Sequence, residues 1–231
     1  MEGLNAIRER MEKNYYQSDS YRQKQIEDYF SSNSTAKLHI GCGNNRYPGW
    51  LNTDISEMAC KQGAVYMDAG AEFPFPDDSF NYVYSEHLIE HLSYAQAVNM
   101  LRECHRVLKP SGVIRIATPN IRFLVDLYQN PDKPVNKAYI KWSANGGGGG
   151  PVFPEHAIFV INKFHRAWGH KYIYDQEALS NLMQENGFSH ICRCEIGEST
   201  EPALQHVEGH FKYMPYDFYQ LETMIIEGLN S

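Results

Sequence analysis

Three groups of residues in this chain have types and spacings that could do chemistry. His87-Leu88-Ile89-Glu90-His91 sets two imidazoles and a carboxylate within five positions. On a helix the two histidines would share one face and bind zinc, with Glu90 as base, because the string matches the His-x-x-Glu-His signature of zinc hydrolases. Asp54 and Asp68 each close an apolar run, Leu51-Asn52-Thr53-Asp54 and Ala64-Val65-Tyr66-Met67-Asp68. A carboxylate at a strand end can accept hydrogen bonds from ribose hydroxyls. Gly41 and Gly43 close a third run, Lys37-Leu38-His39-Ile40-Gly41-Cys42-Gly43, where missing side chains let backbone approach a ligand.

Regular elements must hold these groups. Strands are expected at 37–41, 50–54, 64–67, 80–85, 113–117 and 188–195, with a last one at 223–227. Helices are expected at 57–62, from Ser93 to about Leu108, at 121–128, at 155–167 and after Asp175. Ser93 with Gln96 reads as a capping box, and Asp175 and Gly187 read as the start and stop of a helix. Strands alternating with helices imply a doubly wound, mostly parallel α/β sheet. Residues 1–36 read as a helical extension and 37–231 as one domain. Residues from about 130 to 153 read as a flexible insertion, with Gly146 to Gly150 mobile unless a ligand or partner orders them, as in a lid.

The 231 residues suffice for one domain with a core, and the net charge of -7 without a basic cluster disfavours nucleic acid as a partner. No apolar run is long enough to span a membrane. The opening Met1-Glu2-Gly3-Leu4 lacks a signal-peptide layout, and five cysteines without a Cys-x-x-Cys pair suggest a reducing compartment, so a cytoplasmic location is expected.

A nicotinamide dinucleotide site fits poorly. Its third glycine position is Arg46, and Asp54 comes too early for the usual acid. The zinc hydrolase also fits poorly, since its motif directly follows a buried strand and the long helix starts only after Ser93.

The motif order from Leu38 to Asn120 resembles the class I S-adenosylmethionine-dependent methyltransferases, in their small-molecule, type 11-like branch. The matching pieces are Leu38 to Gly43, Asp54, Asp68-Ala69, the loop Phe73-Pro74-Phe75-Pro76-Asp77-Asp78-Ser79-Phe80, Ser85 to His91, and Arg106 to Gly112. The resemblance implies a seven-stranded Rossmann-like sheet and S-adenosylmethionine as cofactor. It implies that Gly41, Cys42 and Gly43 meet the methionyl carboxylate, that Asp54 meets the ribose, and that Asp68 and Ala69 meet adenine. Ser85, Glu86 and His87 would hold the methionyl end. One departure stands out: Asn44 to Trp50 is too short for the helix that the family places after its first strand, so Asn44, Arg46 or the N-terminal helices would have to compensate.

Methyl transfer needs alignment and, for an alcohol acceptor, a base. His87 is the first candidate and His91 the second; His156, His165 and His170 lie in the acceptor region. The expectation is O-methylation of a small sugar-like or secondary-metabolite acceptor without a metal. A metal held by His87, Glu90 and His91, and a cofactor-binding protein without catalysis, stay open as alternatives. Asp54 and Asp68 could instead be turn caps, and each histidine a packing residue.

Overall fold

The computed structural model describes residue 16 and residues 18–231, so the helix expected ahead of Ser18 lies outside the described residues. The first described helix, α1 (Asp19–Ser32), leads into β1 (Lys37–Ile40) and β2 (Leu51–Asp54). Next come α2 (Glu57–Lys61), β3 (Val65–Tyr66), β4 (Phe80–Glu86) and a single 3₁₀ turn at Ile89–His91. α3 (Tyr94–Val107) and β5 (Leu108–Pro119) follow, then α4 (Ile121–Gln129), α5 (Pro134–Ala144), α6 (Ala157–Arg166) and α7 (Gln176–Glu185). β6 (Phe188–Cys194), α8 (Tyr216–Glu222) and β7 (Thr223–Asn230) complete the chain.

The seven strands make one sheet in the order β3-β2-β1-β4-β5-β7-β6. Only β7 runs antiparallel to its neighbours, which are β5 and β6. This is the doubly wound, mostly parallel architecture expected. The central strands are buried on both faces, by helices on one and by the segments carrying Trp50, Leu204 and Val207 on the other. Val83, Tyr84, Ile114 and Ile116 are all fully buried. α3 lies on one face through Ala97, Met100, Leu101 and Cys104. Its start is the capping box read from sequence: Ser93 Oγ accepts from Gln96 N–H, and Gln96 Oε1 accepts from Ser93 N–H. Trp50, Tyr84, Val113, Leu204 and Val207 pack on the opposite face.

One helix arises where loop was expected and another where no element was expected. α5 occupies part of the presumed insertion; Pro134 sits at its first turn, and Tyr139, Ile140, Ser143 and Ala144 are buried. α8 precedes β7 and buries Tyr219 and Glu222. The strand expected at 113–117 is longer because residues either side of a bulge also pair, Leu108 with Phe80 and Val113 with Tyr82. No described helix is long and apolar enough to cross a membrane.

Chain direction across the sheet reverses between β1 and β4. In open α/β sheets the crevice at that switch point, beyond the carboxyl ends of the strands, is where ligands bind. Gly41, Cys42, Gly43, Glu86, His87 and His91 line a cavity at that crevice.

Candidate active site

A cavity of about 580 Å³ opens at the switch point, within the size range of small-molecule sites. One wall is the turn after β1, with His39, Gly41, Cys42, Gly43, Asn44 and Asn45. The opposite wall carries Tyr139, Trp142, Phe164 and Trp168 together with Gly147, Gly148 and Gly149. Between them stand Glu86, His87, His91, His170, His210 and Glu222.

The first wall does without the missing helix by using Asp54. Its Oδ2 accepts from Gly43 N–H at 2.8 Å, and its Oδ1 accepts from Ser56 N–H at 2.6 Å. Asp54 therefore clamps the glycine turn. This corrects the expectation that the Gly43 N–H is free for a methionyl carboxylate. Asn52 holds the rest of the short connection, accepting from Tyr47 N–H at 2.9 Å and donating to Tyr47 O at 3.0 Å. The glycines have distinct reasons. A Cβ on Gly41 would sit 2.8 Å from Leu88, whereas a Cβ on Gly43 would meet nothing within 4 Å and would enter open space beside the turn. Both have positive φ, 69° and 49°. Cys42 turns its thiol away into a small cluster with Ala59 and Ala64, and burial pushes that thiol up to about 12. Only Asn44 of the proposed substitutes reaches the cavity; Arg46 Nη1 lies near Gly63.

Asp68 and Ala69 follow β3 and are not on the cavity wall. Asp68 Oδ1 accepts from Gly70 N–H at 2.8 Å, Oδ2 has no hydrogen bond among the described residues, and Ala69 is buried. Ser85 is buried in β4 with its Oγ unpartnered. Glu86 does reach the cavity, but its carboxylate is already engaged. It accepts from Gly209 N–H at 2.9 Å, His210 N–H at 3.0 Å and Tyr219 O–H at 2.7 Å. Glu86 thus pins the C-terminal segment to the end of β4, a role the sequence did not suggest.

The His-x-x-Glu-His string does not form a zinc helix. His87 has φ 49°, and only a 3₁₀ turn follows, so the two histidines do not stack on a helical face. They diverge. His87 Nδ1 stands 3.2 Å from Glu90 Oε1, and its Nε2 is buried with no partner. The ring stacks on His210 at 3.9 Å between centroids. Burial works against charge on His87, but Glu90 and other carboxylates outweigh it and raise the ring's pKa. Glu90 is fully buried; burial raises its pKa, and His87 more than offsets this, so it stays below the usual range. Its Oε2 accepts from Thr118 O–H at 3.0 Å. His91 instead faces His170, ring to edge at 4.8 Å.

His170 therefore joins the cavity, while His156 caps α6 and His165 lies exposed on it. Sequence reasoning missed Tyr139, Glu222 and His210 as individual residues. Glu222 is buried, bonded by Tyr139 O–H, and pushed up to about 7 mainly by burial. Burial and the neighbouring His87 lower His210 to about 3. The only sequence signal for these was an acid at an element boundary and aromatics in the acceptor region.

A seven-stranded sheet of this order, with a glycine turn after β1 and acids ending β2 and following β3, is a doubly wound, Rossmann-like arrangement. Residues 38–116 match the family described as "Methyltransferase domain". Over 66 residues, 29% of this chain, the sequence is 41% identical to a probable S-adenosylmethionine-dependent methyltransferase of Mycobacterium tuberculosis. Over 51 residues it is 49% identical to a similarly named protein of Mycolicibacterium smegmatis. The matched stretches span 22% and 19% of those relatives' lengths. A solved S-adenosylmethionine-dependent methyltransferase of Archaeoglobus fulgidus is 18% identical, covers 90% of this chain and 91% of its own, and has a TM-score of 0.49.

Proposed function

We propose that the protein binds S-adenosylmethionine against the β1 turn and methylates a hydroxyl group of a small sugar-like or secondary-metabolite acceptor, with His87 as base. The observation that carries this reading is the His87–Glu90 pair. His87 lines the cavity, with one ring nitrogen 3.2 Å from a buried carboxylate and the other without a partner. That is how a positioned imidazole accepts a proton.

The residues present suit the cofactor. Gly43 leaves an open cradle where a side chain would project, and Asp54 holds the turn in that shape. Asp68 keeps one carboxylate oxygen available for adenine. When bound, S-adenosylmethionine supplies a methyl group on a sulfonium; transfer breaks the carbon–sulfur bond, forms a carbon–oxygen bond and leaves a neutral thioether. The chain supplies alignment and proton removal. The acceptor would rest on the faces of Tyr139, Trp142, Phe164 and Trp168, and its hydroxyl proton would pass to His87 Nε2. Ring faces suit the C–H surface of a sugar-like or fused-ring acceptor, while the histidines and Glu222 suit its hydroxyls.

The test is calorimetry with S-adenosylmethionine, followed by an acceptor panel read as gain of one methyl group by mass. His87→Ala should keep cofactor affinity and lower kcat by about 10²–10⁴-fold, the range for loss of a general base. Failure to bind S-adenosylmethionine would sink the proposal, and tight binding with no turnover on any acceptor would favour a non-catalytic cofactor-binding protein. Unchanged kcat in the variant would remove His87 from the role.

A further inference from the structure

We propose that Glu90, His91 and His170 form a binding site for one divalent metal ion, zinc by its donor set, at the acceptor side of the cavity. Each residue offers a ligand atom, and these atoms all lie within 4.8 Å of one another. Ligands on one zinc ion stand about 3.3 Å apart at normal bond lengths, so side-chain rotation of about an ångström closes the set.

Four observations single this cluster out. The His91 and His170 rings meet at an interplanar angle of 79°, so their in-plane lone pairs can converge on one point. His170 Nδ1 faces Phe164 O at 2.8 Å; a donated hydrogen there fixes the tautomer and leaves Nε2 free to bind. That backbone partner is the usual companion of a metal-bound histidine. Glu90 is fully buried, and its Oε1 has no true hydrogen bond, only the 3.2 Å approach of His87. The segment carrying His170 is also stapled in place, since Lys171 N–H and Tyr172 N–H both donate to Glu90 O, at 2.7 and 3.1 Å. The two stretches, 80 residues apart in sequence, are thus locked together at the ligands.

A second cluster, His87, His210 and Glu222, is also close-set. Its two rings lie nearly parallel at 27°, so their lone pairs run side by side and do not converge. The geometry favours the first cluster. The zinc-like string in the sequence therefore contributes two of its three residues, and the partner for them comes from His170.

Three protein ligands leave a coordination position open, as in catalytic metal sites. His91 and His170 line the cavity, so the open position faces the acceptor. An acceptor oxygen bound there would lose its proton more readily, because the ion stabilises the oxyanion. This role rests on the methyl-transfer reading; the site itself does not.

The experiment uses the full chain stripped by chelator and dialysed. Zinc is titrated by calorimetry, metal content is counted after dialysis, and S-adenosylmethionine affinity is measured in the same preparations. One zinc per chain is expected, with affinity falling at least about 100-fold in His170→Ala and in His91→Ala. His165→Ala, exposed on α6, should bind zinc as the unaltered chain does. Should an alanine variant fail to fold, His170→Gln and the visible spectrum of the cobalt-loaded unaltered chain decide. Bands of tetrahedral cobalt that vanish in His170→Gln support the site. No stoichiometric zinc, or zinc retained in both histidine variants, overturns it. A chain that binds zinc but not S-adenosylmethionine sinks only the methyl-transfer reading, and the reverse outcome sinks only the metal site.

Discussion

Two glycine loops face each other across the cavity, and they use glycine for different ends. The turn at Gly41 to Gly43 is held by backbone and by one carboxylate: Cys42 N–H donates to Thr53 O at 3.0 Å, and Asp54 clamps Gly43. The run at Gly146 to Gly150 is held in addition by side chains from α6 and the turn after it. Lys163 Nζ donates to Gly147 O at 2.6 Å, and Trp168 Nε1–H donates to Gly148 O at 3.1 Å. A Cβ on Gly147 would fall 2.3 Å from the Trp142 indole, so this glycine exists to let an aromatic ring lie on the backbone. The first loop is rigid by local design. The second has backbone bonds of its own, Gly147 N–H to Trp142 O at 2.9 Å and Gly149 N–H to Gly146 O at 3.0 Å, and adds the Lys163 and Trp168 side chains to them. The wall proposed for the cofactor is therefore fixed by one carboxylate, and the wall proposed for the acceptor by two longer-range side chains added to local bonds.

Acid should attack the first wall most strongly. His39 is buried against Tyr47 and Tyr84, faces Asn52 Oδ1 at 3.1 Å, and is pushed down to about 4 chiefly by burial. Its folded pKa lies below the unfolded value of about 6.5, so the unfolded chain takes up the proton first. The neutral ring's contribution is full above about pH 6.5 and is lost as pH falls toward 4, up to about 3 kcal/mol. Urea melts at stepped pH should show His39→Gln losing about one proton of that dependence; identical slopes in the two proteins would refute it.

Asp54→Ala should release the glycine turn and weaken S-adenosylmethionine about 10–100-fold, in line with losing charge-assisted bonds to backbone N–H groups. Calorimetry checks this, and a change below about twofold would mean that the turn keeps its shape unaided. Gly147→Val should spare cofactor affinity and cost about 1–2 kcal/mol by overpacking against Trp142. If thermal unfolding were unaltered, the close approach of ring and backbone would be wrong. Lys163→Met should have the smallest effect, about 0.5–1 kcal/mol, while speeding amide exchange at Gly147 and its neighbours. Exchange unaffected by that change would show that the run holds without Lys163.

The same contrast explains what the sequence could disclose. Elements with local markers were legible: the Ser93–Gln96 box, the Asp175 cap with Oδ1 accepting from Ala178 N–H, and the stop at Gly187 with φ 97° all occur as expected. Asp54 was legible as a strand-ending acid, but its bond to Gly43 joins two strand ends that no local pattern pairs. α5 was hidden because its buried face mixes Asn136 and Ser143 with Tyr139 and Ile140, which blurs a helical apolar stripe. His87, Glu90 and His91 were legible as chemistry and misleading as geometry, since the left-handed backbone at His87 separates the two imidazoles. His210 and Glu222 arrive only through β7 and the segment before α8, a contact that no local pattern encodes.

Arg115 in the centre of β5 is fully buried between Glu208 and Glu227, with Nε–H donating to Glu208 Oε1 at 2.6 Å and Nη1–H to Glu227 Oε1 at 2.5 Å. Together with the hold of Glu86 on Gly209 and His210, it makes the last quarter of the chain inseparable from the strands that carry the glycine turn. Peeling that segment away would strand a guanidinium and a carboxylate in an apolar interior, so it should not open on its own. In hydrogen exchange the amides of Gly209 and His210 should behave as members of the slowest cooperative unit, although they sit in what looks like surface loop.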